Sequence, residues 1–303
     1  MTNTELQKTQ HKEITLPKSV RDKLKSAKSE NTKRSYTGQW TQWVAWCNEK
    51  GSEPLPADPV MVSEYLVYRS ETSKAATVQM ALSVINSASK AAGYVPPGVD
   101  PLVSECMKGI NVELQAGNQK QARALDAEAV AAIRGFVNGK VETNLKISET
   151  MAIVQVISDS GLRRSELAAL TWNDIEVQPD GSGRILVARS KTDQTGEGAS
   201  VAITKQAVQD LERVAELRGF KDPESSVFGI SDRQISNRIK AIAKAAGLGE
   251  GFSGHSGRVG LAVRMTRKGA PVTAVCRQGR WSSQAMVNRY TRNESAGEAL
   301  RYL

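Results

Sequence analysis

The sequence has few residues of the kinds that build disulfide frameworks and metal sites. Its 303 residues include three cysteines and two histidines. The cysteines, Cys47, Cys106 and Cys276, are far apart and odd in number, which fits neither a disulfide scaffold nor a paired-cysteine zinc site. The histidines, His11 and His255, leave little material for a histidine-based metal centre. We therefore expect reduced thiols and no metal cofactor.

Long apolar runs are also missing. No segment has the roughly 20 consecutive apolar residues that cross a bilayer. The first 18 residues are polar and unlike a signal peptide, so we expect a flexible tail there. These absences predict a cytoplasmic protein without a membrane partner.

Positive charge is in excess. The 41 lysines and arginines outnumber the 32 acidic residues and give a formal net charge of +9 at pH 7. Clustered cations favour a polyanionic partner such as nucleic acid, although charge alone also fits an ordinary basic protein. The length and the 40% hydrophobic content fit two medium domains or one large domain, and we favour two.

The hydrophobic pattern divides the chain at a polar segment. Residues 115–124 lack periodic apolar positions and predict a linker. Residues 19–114 have helical periodicity, with a stripe around Trp43 that predicts a buried face. Residues 125–303 predict helices around short strands, including two separate helices near 283–289 and 296–303. The predicted fold class is mainly α with a small antiparallel β-sheet, in two domains.

Several charged and aromatic residues of the second region are ordinary when taken singly. A three-residue spacing such as Arg163 to Glu166 is common in surface ion pairs on helices. A lysine in a hairpin is usually solvated, and isolated aromatics are usually core. In chain order the candidates are Arg163, Glu166, Lys191, His255, Arg258, Trp281 and Tyr290.

Their order is more specific than any member. Arg-x-x-Glu, a hairpin lysine, His-x-x-Arg, a Trp and a Tyr nine residues later resemble the signature of the tyrosine recombinases, and most of all the Cre-like recombinases. The likeness extends from about residue 30 onward and includes the run WTQWVAWC.

The resemblance implies a helical core-binding domain, a catalytic domain and a 3′-phosphotyrosyl intermediate formed without metal or ATP. The implied partner is double-stranded DNA with an inverted-repeat site, bound by a dimer per site and a homotetramer on two sites. The implied setting is the nucleoid of a bacterium, with the gene carried by a chromosome, phage or plasmid.

The chemistry of a phosphodiester explains the cationic members. Rigid guanidinium forks such as those of Arg163 and Arg258 can grip the oxygens that gain charge in the transition state. Arg164 is adjacent, but only Arg163 has the Arg-x-x-Glu spacing to Glu166. By resemblance, Glu166 orients the cations and Lys191 is the general acid.

The remaining members serve the nucleophile. The phenol of Tyr290 has an ordinary pKa of about 10 and must lose its proton during attack. By resemblance, His255 accepts that proton or donates to the phosphate. The indole of Trp281 can only donate a hydrogen bond, which suits an oxyanion.

Two surfaces are candidates for reading DNA. One is the polar face of a helix predicted over 73–92, which carries Thr77 and Gln79. The other is the start of a helix at Arg233 and Gln234, because arginine is the commonest direct reader of guanine. Solvated surface is the alternative for both. An apolar stripe in the tail either packs on its own domain or inserts into a neighbouring protomer; it comprises Ala296, Ala299, Leu300 and Leu303.

Two other functions remain open. A type IB-like nicking-closing topoisomerase would use the same nucleophile as a monomer with little sequence preference. A sequence-specific DNA-binding protein could keep the fold without the chemistry, although every candidate position here carries a chemically competent residue.

Overall fold

The computed structural model describes residues 30–117, 121–187 and 198–299. The chain divides into two compact units, Met1–Lys120 and Gln121–Leu303. The division falls inside the segment 115–124 that was predicted as a linker. Part of this segment packs on the second unit, since the backbone N–H of Arg123 donates to Gly251 O at 3.0 Å.

The described part of the first unit consists of helices. Asp58 caps the second helix and Asp100 caps the fourth. Each carboxylate accepts backbone N–H donation from the first turn, and a proline follows each aspartate at the first helical position. The helices are α1 Glu30–Glu49, α2 Pro59–Ser70, α3 Ala75–Ala91 and α4 Pro101–Glu113, with a 3₁₀ turn at Pro97–Val99.

Aromatic rings form the centre of this unit. Trp43 and Cys47 are buried, as the stripe predicted. The ring of Trp43 stacks on that of Trp46 at 5.7 Å and meets Tyr65 edge-on at 5.0 Å. These rings bury the shared faces of α1 and α2, which leaves the polar side of α3 outside this core.

The second unit surrounds a buried central helix with further helices and a small sheet. The strands pair antiparallel in the order β1-β2-β3, with Ile185 opposite both Ile175 and Val201. The predicted fold class is therefore confirmed. The elements are α5 Ala127–Val137, α6 Leu145–Ser160, α7 Arg164–Ala169, β1 Ile175–Val177, β2 Gly183–Val187, β3 Ala199–Ile203, α8 Lys205–Arg218, α9 Asp232–Ala245, α10 Ser256–Arg267, α11 Val272–Gly279 and α12 Gln284–Ala299.

The central helix is α6, and α10 lies close against it. A Cβ on Gly257 would lie 2.6 Å from Ile157 O, and one on Gly260 would lie 2.1 Å from Leu125 O. Both distances are shorter than real contacts allow, so only glycine permits this approach. The close packing fixes Arg258, which lies between the two glycines in sequence, against the end of α6.

The end of the chain differs from the prediction. One helix, α12, replaces the two that were expected near 283–289 and 296–303. The sequence after Tyr290 contains no proline, and no glycine before Gly297, so nothing in it stops the helix. Val287 and Thr291 are both buried, and Thr291 donates to Val287 O at 3.0 Å, which anchors the helix through this region.

None of the helices in the described residues combines the length and the apolarity that a bilayer crossing requires.

The packing of α10 on its neighbours generates a stability prediction. Gly260→Ala should lower the free energy of unfolding by about 1–3 kcal/mol, because the new methyl group meets a backbone carbonyl that cannot move away cheaply. Gly135→Ala on α5 is the matched control, since nothing lies within 4 Å of its Cβ position. That control should instead gain about 0.5–1 kcal/mol. Thermal unfolding of the full chain measures both, and an unchanged melting temperature for Gly260→Ala would contradict the packing described.

Candidate active site

Tyr290 lies in the middle of α12 and is 7% exposed. Its backbone carbonyl accepts a hydrogen bond from Gln121 Nε2 at 3.1 Å. Its hydroxyl oxygen lies 2.7 Å from Nε2 of His255, 35 residues earlier in the chain. The helix therefore delivers a phenol directly to an imidazole.

Arg258 occupies the first turn of α10, three residues after His255. Its side chain is almost fully buried, and Nη1 donates to Gly161 O at 2.7 Å. Gly161 ends α6 in the left-handed conformation with φ 60°, which turns its carbonyl towards the arginine. The guanidinium carbon also lies 4.8 Å from the centre of the Trp281 ring.

Arg163 precedes α7 and forms a capping arrangement with Glu166. The backbone N–H and Nη1 of Arg163 each donate to a different oxygen of Glu166, both at 2.8 Å. The neighbouring Arg164 pairs instead with Asp232 at 3.1 Å, and its side chain is 53% exposed. Arg163 rather than Arg164 thus faces the buried cluster.

Trp281 completes the aromatic side of the cluster. Its ring centre lies 5.7 Å from that of Tyr290. Its indole N–H is buried and has no hydrogen-bond partner among the described residues. A buried donor without an acceptor costs about 1–3 kcal/mol. An oxyanion entering beside the ring would remove that cost.

Arg280 belongs to the cluster, and sequence reasoning missed it. Its Nη2 donates to Glu166 at 2.7 Å, and its side chain is 7% exposed. The residue ends α11 with φ 54° and ψ 48°, a conformation that costs an L residue roughly 1–2 kcal/mol. An arginine after a glycine at a helix end is usually solvated, so spacing offers no signal for this role.

The cations set the protonation of the central pair. Burial lowers the pKa of His255, and the charges of Arg258, Arg163 and Arg289 lower it further. Burial raises the pKa of Tyr290, and this outweighs the opposite effect of the same arginines. At neutral pH the imidazole is neutral and the phenol is protonated, so Nε2 can accept the hydroxyl hydrogen.

The charged partners keep their charges. Burial lowers the pKa of Arg258 to about 10, helped by repulsion from Arg163 and Arg280, and Arg258 stays cationic at neutral pH. Burial would raise the pKa of Glu166, but hydrogen bonds from Arg163 and the charge of Arg280 outweigh it and hold the pKa below its usual value. Glu166 is therefore an anion between cations.

A cleft of about 320 Å³ opens beside the cluster. Arg163 and His255 line it on one side. The other lining residues are Arg164, Ser165, Ser236, Ser253 and Gly254. The volume of the cleft would accommodate an anion of phosphate size beside Arg163.

All six described candidates lie together in one pocket. They are Arg163, Glu166, His255, Arg258, Trp281 and Tyr290. Lys191, the seventh, lies outside the described residues.

The predicted DNA-reading residues lie elsewhere. Thr77 is half-buried and Gln79 is exposed, both on α3 of the first unit. Arg233 and Gln234 are exposed in the first turn of α9. The side-chain oxygen of Gln234 accepts the backbone N–H of Ser231 at 2.9 Å, which leaves only its NH₂ group to offer a ligand.

Residues 123–296 match the model of the phage integrase family. The matched region is more than half of the chain and contains the whole cluster. The chain belongs to the phage integrase family of tyrosine recombinases.

Individual relatives agree with this assignment. The chain is 27% identical to an integrase/recombinase xerD homolog of Selenomonas ruminantium, over 88% of this chain and 83% of that protein. It is 26% identical to the recombinase cre of Escherichia phage P1, over 89% and 86%. The two identities are nearly equal. The comparisons therefore support membership of the family and do not single out a Cre-like chain.

The fold is also found in a solved protein–DNA complex. XerH site-specific recombinase bound to palindromic difH substrate, in a post-cleavage complex, superposes with a TM-score of 0.62 at 17% identity, over 81% of this chain and 72% of that one. At that identity the likeness shows a shared fold.

The electrostatic arrangement predicts how His255 titrates. In the wild-type chain its pKa should lie below the ordinary value of about 6.5. Arg163→Met should raise that pKa, because it removes one of the cations that oppose imidazolium formation. Arg164→Met is the matched control and should leave the pKa unchanged, since that side chain pairs with Asp232.

NMR can measure this directly, because the chain has only one other histidine, His11. A pKa that rises in Arg164→Met and stays constant in Arg163→Met would show that the wrong arginine has been placed in the pocket.

Proposed function

We propose that this chain is a site-specific recombinase that cleaves DNA with Tyr290 and rejoins it through a 3′-phosphotyrosyl bond at paired inverted-repeat sites. The observation that carries the proposal is the 2.7 Å contact between the Tyr290 hydroxyl and His255 Nε2 beside buried guanidinium groups. A nucleophile, a base and an anion site then share one pocket.

The cations are the proposed phosphate clamp. Burial lowers the pKa of Arg258, and repulsion from Arg163 lowers it further. An anion placed between them would relieve this repulsion, and a phosphodiester offers two non-bridging oxygens for paired hydrogen bonds. Loss of one such donor typically slows a reaction about 100- to 1,000-fold.

Phosphate binding explains why a base is needed. A bound phosphate offsets the arginine charges that favour the phenolate, so the pKa of Tyr290 rises further when DNA enters. In the proposed step the proton moves from Tyr290 to His255 Nε2 as the Tyr–phosphorus bond forms. The phosphorus–O5′ bond breaks, and the leaving O5′ takes a proton from a general acid, for which Lys191 is the candidate.

The proposed intermediate keeps the energy of the broken bond. A 5′-hydroxyl from the same or another strand attacks the phosphorus and gives its proton to the group that acted as general acid. The bond from phosphorus to Tyr290 breaks, and the phenolic oxygen takes back the proton held by His255. Religation therefore requires no ATP, and the guanidinium groups supply the charge that stabilises the transition state.

DNA recognition is assigned to two exposed faces. Arg233 lies at the amino-terminal end of α9, where a helix favours phosphate and a guanidinium can reach a base edge. Lys240 and Lys244 are exposed further along α9 and line a second cleft, where they would contact the DNA backbone. Thr77 and Gln79 would read the groove from the first unit.

The proposed assembly is a dimer on each inverted repeat and a tetramer on two sites. The palindromic site of the related XerH complex supports a two-fold arrangement. The tail stripe from Ala296 to Leu303 lies in or beyond the last turns of α12, and we propose that it contacts a neighbouring protomer. The side chains of that stripe lie outside the described residues.

The nucleophile can be tested with DNA selected by the chain from a random-sequence pool. On a nicked version of the selected duplex the wild-type chain should form a covalent adduct, because the short cleaved strand diffuses away. Tyr290→Phe should bind that duplex equally well and form no adduct. Denaturing gels measure the adduct.

The matched control is Tyr94→Phe, which removes a hydroxyl from the first unit and should form adduct at the wild-type rate. Adduct formation by Tyr290→Phe would eliminate the proposed nucleophile. Relaxation of supercoiled plasmids that lack the selected site would instead favour the nicking-closing topoisomerase.

The tail can be tested by truncation. A chain that ends at Glu294 keeps Tyr290 and the anchoring Thr291, and it should bind a single half-site with unchanged affinity. It should fail to bring two sites together, because the neighbour contact is removed. Gel-shift titration measures the first property and electron microscopy of paired DNA the second. Normal pairing by the truncated chain would refute the tail contact.

A further inference from the structure

We propose that Arg280 is a positioning residue whose ion pair with Glu166 keeps Arg163 and Trp281 in register around the phosphate. This inference rests on the proposed function. In this role Arg280 does not contact DNA directly, and its burial at this turn has a reason.

The ion pair joins two distant parts of the chain. Glu166 and Arg280 are 114 residues apart, and Arg280 Nη2 donates to Glu166 Oε2 at 2.7 Å. The same carboxylate receives the backbone N–H of Arg163 on Oε2 and its Nη1 on Oε1. Both carboxylate oxygens are thus used, and Glu166 links the residue before α7 to the residue after α11.

The backbone at Arg280 connects this link to Trp281. The left-handed conformation at residue 280 reverses the chain at the end of α11. Arg280 reaches Glu166, while the next residue, Trp281, lies against Arg258. The Trp281 ring also covers Gly279, where a Cβ would lie 2.0 Å from a ring atom. Fixing the turn at Arg280 therefore fixes the indole.

Burial makes the ion pair strong and specific. The side chains of Arg280 and Glu166 are 7% and 8% exposed, so water screens their interaction little. Arg280 Nε and Nη1 are buried and have no hydrogen-bond partner in the described part of the chain. A buried arginine that served only general stability would have hydrogen-bond partners for all its N–H donors. Among the described residues, Arg280 has one only for the donor that faces Glu166.

Direct contact with phosphate is the competing role, because the two remaining donors could serve an oxyanion. The charge of Arg280 acts on Arg258 and Glu166, whereas the cations that act on Tyr290 and His255 are Arg258, Arg163 and Arg289. Together with the 2.7 Å bond from Arg280 to Glu166, this distribution favours positioning.

The test compares Arg280→Gly and Arg280→Lys, each in the wild-type and the Glu166→Gln background. Adduct formation is timed on the nicked, pool-selected duplex. Arg280→Gly should stay folded at the assay temperature and bind this duplex normally, because relief of the left-handed turn offsets part of the loss of the buried ion pair. Its rate should fall about 10- to 100-fold, as for other residues that orient a catalytic group. Arg280→Lys, which keeps a cation beside Glu166, should recover part of the rate.

Two readouts separate positioning from a structural role. Without Arg280 the Glu166 carboxylate loses a cation, so its pKa rises. Its protonation should then add to that of His255 and steepen the acid-side loss of cleavage. In the Glu166→Gln background no such steepening should occur, and Arg280→Gly should add no further loss.

Three outcomes would overturn the inference. A wild-type rate and pH profile in Arg280→Gly would show that the ion pair has no role in cleavage. An undiminished loss in the Glu166→Gln background would show that Arg280 acts on the phosphate itself. If the wild-type chain forms no adduct on the selected duplex, the proposed function fails and this inference fails with it.

Discussion

The whole site depends on burying one cation, the guanidinium of Arg258. It donates to Gly161 O and lies over Trp281, and it is held there because glycines let α10 approach α6. The position of the proposed phosphate clamp is thus set by the packing of the second unit's core. A pocket built on packed helices holds its groups more closely than one built on loops.

A second consequence is an excess of positive charge in a poorly hydrated place. Arg163 and Arg280 share one buried carboxylate, Glu166, beside Arg258. Burial lowers the pKa of Arg258 and of Arg280, and repulsion from Arg163 lowers both further. In the proposed reaction a bound phosphate would supply the missing negative charge. Burial keeps the phenol of Tyr290 protonated, so the proposed attack requires His255 to take the proton.

Local patterns predicted what local forces determine. The short strands and the six described members of the pocket follow from spacing and family resemblance. Arg280 could not be found this way, because its role depends on a left-handed backbone and a partner 114 residues away. The continuity of α12 was missed because the burial of Thr291 is a tertiary effect.

The central claim is tested most directly by identifying the atom that carries the DNA. The covalent complex on the selected, nicked duplex is digested with protease and nuclease, and the linked peptide is sequenced by mass spectrometry. The account predicts one phosphodiester, between the hydroxyl of Tyr290 and a DNA 3′-phosphate. Linkage through any other residue, or to a 5′-phosphate, would contradict it.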